Sequence, residues 1–260
     1  MSVGEQTPAV AGPVPTGVDF YLVGELPPAG AFTLDGDEGR HAAVRRVRTG
    51  QPVVLTDGRG SWARAEVTGM ARTAVHLQVG APVQAPPPQP RVVLVQGVPK
   101  GDAGPLAVDL ATQAGADEIV PWSAEHCVAR WDATRAVRGR QRWQATAREA
   151  AKQARRPWVP LVGELADTPA VLARCRAAAG ALVLHEAAET ELARVELPAA
   201  GELVLLIGPE GGVSPAELAA ATDAGATAVR LGPEVLRSAV AGAVALGALG
   251  ALTRRWQVSR

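Results

Sequence analysis

The residues best suited to chemistry stand in two corners near the carboxyl end of the chain. The first reads Leu-Val-Leu-Leu-Ile-Gly-Pro-Glu-Gly-Gly-Val-Ser-Pro-Ala-Glu from Leu203 to Glu217. The apolar run Leu203–Ile207 is too short for a helix and is bounded by turn residues, the pattern of a buried parallel strand. Ser214 offers an N-cap, Pro215 suits the first helical position, and Glu217 completes a capping box. Between strand and helix lies Gly208-Pro209-Glu210-Gly211-Gly212, whose glycines let a ligand approach bare main chain. Ligands of open α/β sheets bind at the carboxyl ends of the strands, which is where this loop falls. Its spacing is neither G-x-x-x-x-G-K-[ST] nor G-x-G-x-x-G, so a phosphate cradle is not indicated. The plainer alternative is a glycine-rich turn that only clears packing space.

The second corner, Val229-Arg-Leu-Gly-Pro-Glu-Val-Leu-Arg237, is again a short strand, a turn and the start of a long Ala-rich helix. Together, Ile-Gly-Pro-Glu-Gly-Gly-Val-Ser and Leu-Gly-Pro-x-Val-Leu-Arg resemble the RsmE family, 16S ribosomal RNA uridine-N3 methyltransferases of the SPOUT (trefoil-knot) superfamily. The resemblance extends over nearly the whole chain, through Lys100-Gly101-Asp102, Ile119-Val120-Pro121, Arg142-Trp143-Gln144 and Glu149–Gln153. It implies an α/β SPOUT trefoil-knot methyltransferase domain with a smaller N-terminal PUA-like β-barrel domain, acting as a cytoplasmic homodimer on 16S rRNA of the small ribosomal subunit. S-adenosyl-L-methionine is the implied cofactor. It would be held by Leu184, His185, Glu186, Ile207, Gly208, Pro209, Glu210, Gly211, Gly212, Leu231, Gly232, Val235 and Leu236.

The sulfonium methyl is already electrophilic, so an in-line nucleophile at about 3–3.5 Å supplies much of the rate. Uracil N3 must lose its proton, and each pH unit between its acidity and neutrality costs about 1.4 kcal/mol. Arg237 is the candidate cation for the developing anion at O2 or O4. Glu210 is the candidate base, with a purely structural role at the helix N-terminus as the alternative. The family commonly reads Leu-Gly-x-Arg-Ile-Leu-Arg-Thr-Glu-Thr-Ala at the second corner. This chain has Glu234 for the first Arg, Ala239 for the Glu and Val240 for the second Thr, while Ser238 keeps a hydroxyl. A mechanism needing that acid is not available here. These departures motivate a second reading, a non-catalytic RNA-binding or ribosome-assembly protein on the same fold. A third is methylation of another RNA or of a ribose hydroxyl.

The elements that must position these corners follow from composition and periodicity. The 260 residues carry 26 basic and 26 acidic side chains, so an RNA surface must be local rather than global. Hydrophobic content is 47% with only 3% aromatic, which leaves the packing to Ala, Val and Leu. Cys127 and Cys175 fit no metal spacing and no disulfide framework, so a reduced compartment and no metal are expected. The apolar run Ala239–Leu252 is shorter than the roughly 20 residues of a membrane span. Residues 1–17 read as a disordered leader without signal-peptide character.

Residues 18–81 alternate apolar and polar side chains around the hairpin turn Asp57-Gly58-Arg59-Gly60, which predicts a small barrel. Glu38–Arg48 interrupts it with a short helix or turn bearing His41, Arg45, Arg46 and Arg48. These suit phosphate contacts, with a solvated basic face as the alternative. Residues 82–90 are Pro-rich and read as a stiff linker, leaving 91–260 as the second domain. Within it, Asp132–Ala154 is a long helix with Arg135, Arg138, Arg140, Arg142 and Arg148 as candidates for RNA backbone contacts. Lys100 and Lys152 complete the expected RNA-binding set.

Overall fold

A computed structural model describes residues 15 and 17–257, so the expected leader lies almost wholly outside the described residues. The chain forms two compact units. One comprises the described residues up to Pro87 together with Arg155–Trp158, and the other Pro88–Ala154 and Val159–Gln257.

The first unit contains β1 (Asp19–Leu22), β2 (Gly30–Leu34), α1 (Gly36–Val44), β3 (Pro52–Thr56), β4 (Ser61–Met70), β5 (Val75–Val79) and β6 (Val83–Gln84). The strands run in the order β1-β3-β4-β5-β2, with β6 beside β4. Only the β1–β3 pair is parallel. Period-2 alternation produces the expected face, because Ala63, Ala65 and Val67 are buried with Leu55 and Leu77. Trp62, on the other side of β4, is buried as well. Val83 and Gln84 pair with Trp62 and Ser61, and Phe20, Val54 and Ala85 close a second small cluster around the indole.

Arg155–Trp158 belongs to this unit through the hairpin turn. Gly60 donates its N–H to the Pro157 carbonyl at 2.9 Å, and Arg59 bridges Trp158 in antiparallel fashion. Gly60 is required there, because a Cβ would sit 2.3 Å from the Trp158 ring and φ is +97°.

The second unit contains β7 (Arg91–Gly97), α2 (Ala103–Ala114), β8 (Glu118–Trp122), α3 (Ala133–Gln153), β9 (Leu161–Val162) and α4 (Thr168–Ala177). It continues through β10 (Gly180–Leu184), β11 (Glu202–Ile207), α5 (Pro215–Asp223), β12 (Ala226–Val229) and α6 (Ser238–Leu252). All pairs in its sheet are parallel, in the order β12-β10-β11-β7-β8-β9. Continuous apolar runs are needed because helices cover both faces. Val92 and Leu94 of β7 with Leu203, Leu205 and Ile207 of β11 pack under α2, α3 and α6. Val93, Val95, Val204 and Leu206 pack on the other face, under α4 and α5. Each fully buried Val or Leu contributes roughly 1.5–3 kcal/mol.

The small residues of α6 answer close neighbours within the chain. A Cβ on Gly250 would lie 2.4 Å from the Trp256 ring, and one on Gly242 3.2 Å from Leu94. At the amino ends of β7, β8 and β11, Arg174 bonds Glu118 and Glu202 at 2.7 Å, and Arg91 bonds the same two carboxylates. Among the described residues, no helix is long and apolar enough to cross a membrane, and no group of three His, Cys, Asp or Glu is placed to hold a metal.

Candidate functional site

Strand register puts both corners at one end of the sheet. Leu184 pairs with Val229, and Ile207 with Gln96, so β10, β11, β12 and β7 finish side by side. Main-chain bonds then stitch the loops. His185 N–H donates to the Val229 carbonyl at 3.0 Å, Arg230 N–H to Thr190 at 2.9 Å, and Leu192 N–H to Arg230 at 3.0 Å. At its far end the second corner returns to the first, where the Ser238 hydroxyl donates to the Gly208 carbonyl at 2.6 Å. The segments Leu184–Glu186, Ile207–Gly212 and Leu231–Leu236 are therefore one neighbourhood. Leu184, Leu231 and Leu236 lie half-buried against the same core cluster, whereas Glu186, Gly232 and Val235 are exposed.

The glycines of the first corner answer different demands. A Cβ on Gly208 would fall 2.7 Å from the Gly212 carbonyl carbon and 2.8 Å from Val213 N. Gly212 sits at φ +73° and donates to the Pro209 carbonyl at 2.9 Å. A Cβ on Gly97, at the end of β7, would meet Pro209 N at 2.6 Å, so the neighbouring strand must also be bare.

Side chains fix the corner from outside. Glu210 Oε1 accepts from Lys100 N–H at 3.0 Å. His126 Nδ1 lies 2.9 Å from the Gly211 carbonyl oxygen. A carbonyl only accepts, so Nδ1 is the donor in this contact. His185 is the reverse, since its Nδ1 accepts from Ala187 N–H at 3.2 Å. Behind the corner Glu217 forms the expected capping box with Ser214. It is buried, and its Oε1 also accepts from Glu125 N–H and the Thr168 hydroxyl, both at 2.9 Å. The carboxylate thus binds three segments, and Glu125 holds the loop that carries His126.

Arg237 ends the second corner as an exposed side chain with no ion pair among the described residues. Ala239, where the family has an acid, is buried in the first turn of α6. Gln96, His126 and Gly97 were not singled out by sequence reasoning. Gln96 alone left a signal, as a single uncharged polar residue inside an apolar strand.

The expected RNA-binding residues fare unevenly. His41 packs edge-on to Tyr21 at 6.4 Å, Arg45 pairs with Asp19 at 2.9 Å, and Arg46 adopts φ +54°. Arg45, Arg46 and Arg48 are exposed. Arg142 pairs with Asp102 at 2.8 Å, and Lys100 is exposed. The Lys152 side chain is 9% exposed, with its ammonium 2.9 Å from Glu149. Of the arginines of α3, Arg135 pairs with Asp132 and Arg140 donates to the Val162 carbonyl. A cavity of about 520 Å³ lies beside the first turns of α3, lined by Trp131, Ala136, Val137, Arg140, Gln141 and Leu165 among others. It includes none of the residues expected to hold the cofactor.

A parallel α/β unit with glycine-bearing corners at its strand ends, in a chain that also has a PUA-like β-barrel, is the architecture of the trefoil-knot SPOUT RNA methyltransferases. Residues 86–250 match the family described as RNA methyltransferase domain, and residues 34–80 match the RNA methyltransferase PUA domain. The chain belongs to the ribosomal RNA small subunit methyltransferase E family. It is 48% identical over 246 residues to the protein of that name from Mycobacterium bovis, covering 92% of this chain and 94% of that one. The Bacillus subtilis protein of the same name is 28% identical over 234 residues, covering 86% and 91%. The crystal structure of a ribosomal RNA small subunit methyltransferase E from Neisseria gonorrhoeae, bound to S-adenosyl methionine, is 25% identical. It matches with a TM-score of 0.79, over 91% of this chain and 98% of that chain.

Proposed function

We propose that the protein transfers a methyl group from S-adenosylmethionine to N3 of a uridine in 16S RNA of the small ribosomal subunit, as a cytoplasmic homodimer. The observation that carries this reading is the pairing of bare main chain with an apolar floor. Leu184, Leu231 and Leu236 arrive from different loops, half-buried on one core cluster, beside a corner whose Gly211 and Gly212 are exposed. Such a surface suits an adenine ring, with backbone groups to read its edge. The S-adenosyl methionine bound to the Neisseria relative agrees with that chemistry. When bound, the cofactor supplies an electrophilic methyl group.

The chain's own residues then have three tasks. The two corners and the three leucines bind and orient. Arg237, exposed beside them, stabilises negative charge on the uracil oxygens as N3 loses its proton. Glu210, with Oε1 anchored on Lys100 N–H, accepts that proton. The PUA-like barrel supplies His41, Arg45, Arg46 and Arg48 for phosphates, with Lys100 and Arg142 on the second unit. Dimerisation is supported by apolar side chains left open on α2 and α6, with Leu106, Val244 and Leu252 between 44% and 47% exposed.

Mass spectrometry of nucleosides from 16S RNA of a deletion strain tests the assignment. N3-methyluridine should be lost, and an unchanged level rejects the reading. Ala239 and Glu234 favour one rival, a non-catalytic RNA-binding or assembly protein on this fold. Calorimetric titration separates the two, since such a protein has no reason to bind S-adenosylmethionine.

A further inference from the structure

Stability alone does not explain one buried polar group at the corners. Gln96 is fully buried near the end of β7. Its Nε2 donates to the Ser238 hydroxyl at 2.9 Å and to the Gly97 carbonyl at 3.2 Å, while its Oε1 has no partner among the described residues. Ser238 Oγ in turn donates to the Gly208 carbonyl at 2.6 Å. The direction of this chain is fixed. An amide NH2 can only donate and a carbonyl can only accept, so the hydroxyl proton between them has one destination.

Two features set the arrangement apart from ordinary packing. A hydroxyl at the start of a helix usually serves that helix's own end. Here α6 begins at Ser238, its N-cap residue Arg237 makes no side-chain cap bond, and the Ser238 hydroxyl is directed to a different loop. A buried acceptor without a donor also weakens the fold, and a methionine of similar length would avoid that cost. The chain retains the amide where it joins the end of one corner to the beginning of the other.

We infer that Gln96 and Ser238 are positioning residues, a relay from β7 that fixes Arg237 relative to the glycine corner during methyl transfer. The inference rests on the methyl-transfer reading above. Ser238 directly follows Arg237, so the bond to Gly208 pins the main chain from which the guanidinium projects. Gln96 holds the hydroxyl in the one orientation that makes this bond. Neither side chain needs to touch the substrate, and the effect falls on geometry at the reacting centre.

Steady-state methylation of unmodified small subunits, together with thermal melts, tests the relay in Gln96→Met, Ser238→Ala, Ser238→Thr and the Gln96→Met/Ser238→Ala double variant. Gln96→Met and Ser238→Ala should each lower kcat by roughly ten- to a hundredfold, the scale of a small misplacement. KM for the methyl donor and the melting midpoint should change little. Ser238→Thr should restore most of kcat, and the double variant should be no slower than the slower single one. Unchanged kcat in the single variants, losses that multiply in the double one, or a lowered midpoint with normal kcat would each overturn the relay. A protein without substitutions that methylates nothing would refute the methyl-transfer reading itself, and the relay would fall with it.

Discussion

Arg237 and Glu217 border the two corners in opposite settings, one exposed and the other buried behind the glycine loop. Among the described residues the Arg237 side chain has no partner that a substitution would strand, so Arg237→Ala should leave the fold intact. It should lower kcat by about 10²–10³, the range for losing one preorganised charge-stabilising donor. Cofactor affinity, measured by calorimetry, should change little. Glu217 is buried, and its carboxylate serves Ser214, Glu125 and Thr168. Glu217→Ala strands those donors and should cost about 2–4 kcal/mol in denaturant unfolding, a few unmade buried bonds at 1–3 kcal/mol each less relaxation. The capping box was legible because its partners are three residues apart. The bonds to Glu125 and Thr168 were not, since they span 92 and 49 residues and depend on how β8 ends and α4 begins. The low exposure of Lys152 was not legible either, because a charge on a helix does not announce which face the helix buries.

At the scale of elements, the corners work because particular strand ends are bare. Gly97→Ala would drive a Cβ to 2.6 Å from the Pro209 nitrogen, main chain that cannot move aside, so calorimetric binding of S-adenosylmethionine should be lost. Gly24→Ala is the control. Its Cβ would meet nothing within 4 Å, and binding should persist. The ionic cluster at the amino ends of β7, β8 and β11 makes a pH-dependent contribution. Burial raises the Glu118 carboxyl, but bonds and charge from Arg174 and Arg91 outweigh it and hold it below the usual carboxylate range. Glu202 is lowered by its bonds to Arg174 more than burial raises it. Carboxyls lowered on folding stabilise above their unfolded pKa, about 4.3, and that stability disappears as pH falls through the lower folded values. The melting midpoint should therefore drop steeply below about pH 4. Arg174→Leu should flatten that acid limb and destabilise by about 3–5 kcal/mol, because it leaves two carboxylates poorly paired. Strand and helix positions in this unit were readable from periodicity. The cluster was not, since its members come from four separate elements.

For the molecule as a whole, the two kinds of apolar pattern separated the units. Alternation marked the barrel, and continuous runs marked the parallel sheet. The knot was expected only through resemblance, because periodicity carries no information about the order in which strands thread. The attachment of Arg155–Trp158 to the barrel unit was equally hidden, since nothing local says that Trp158 will cover Gly60. On the barrel, Arg46→Ala and Arg48→Ala should weaken RNA binding almost uniformly across sequences. Each should also reduce the slope of log affinity against log salt by roughly one. Incubation of unmodified small ribosomal subunits with the protein and S-adenosylmethionine labelled with tritium in the methyl group tests the account most directly, with the 16S RNA then digested and its nucleosides separated. All the label should appear as N3-methyluridine. Label in a ribose-methylated nucleoside, on another base, or in none would contradict the account.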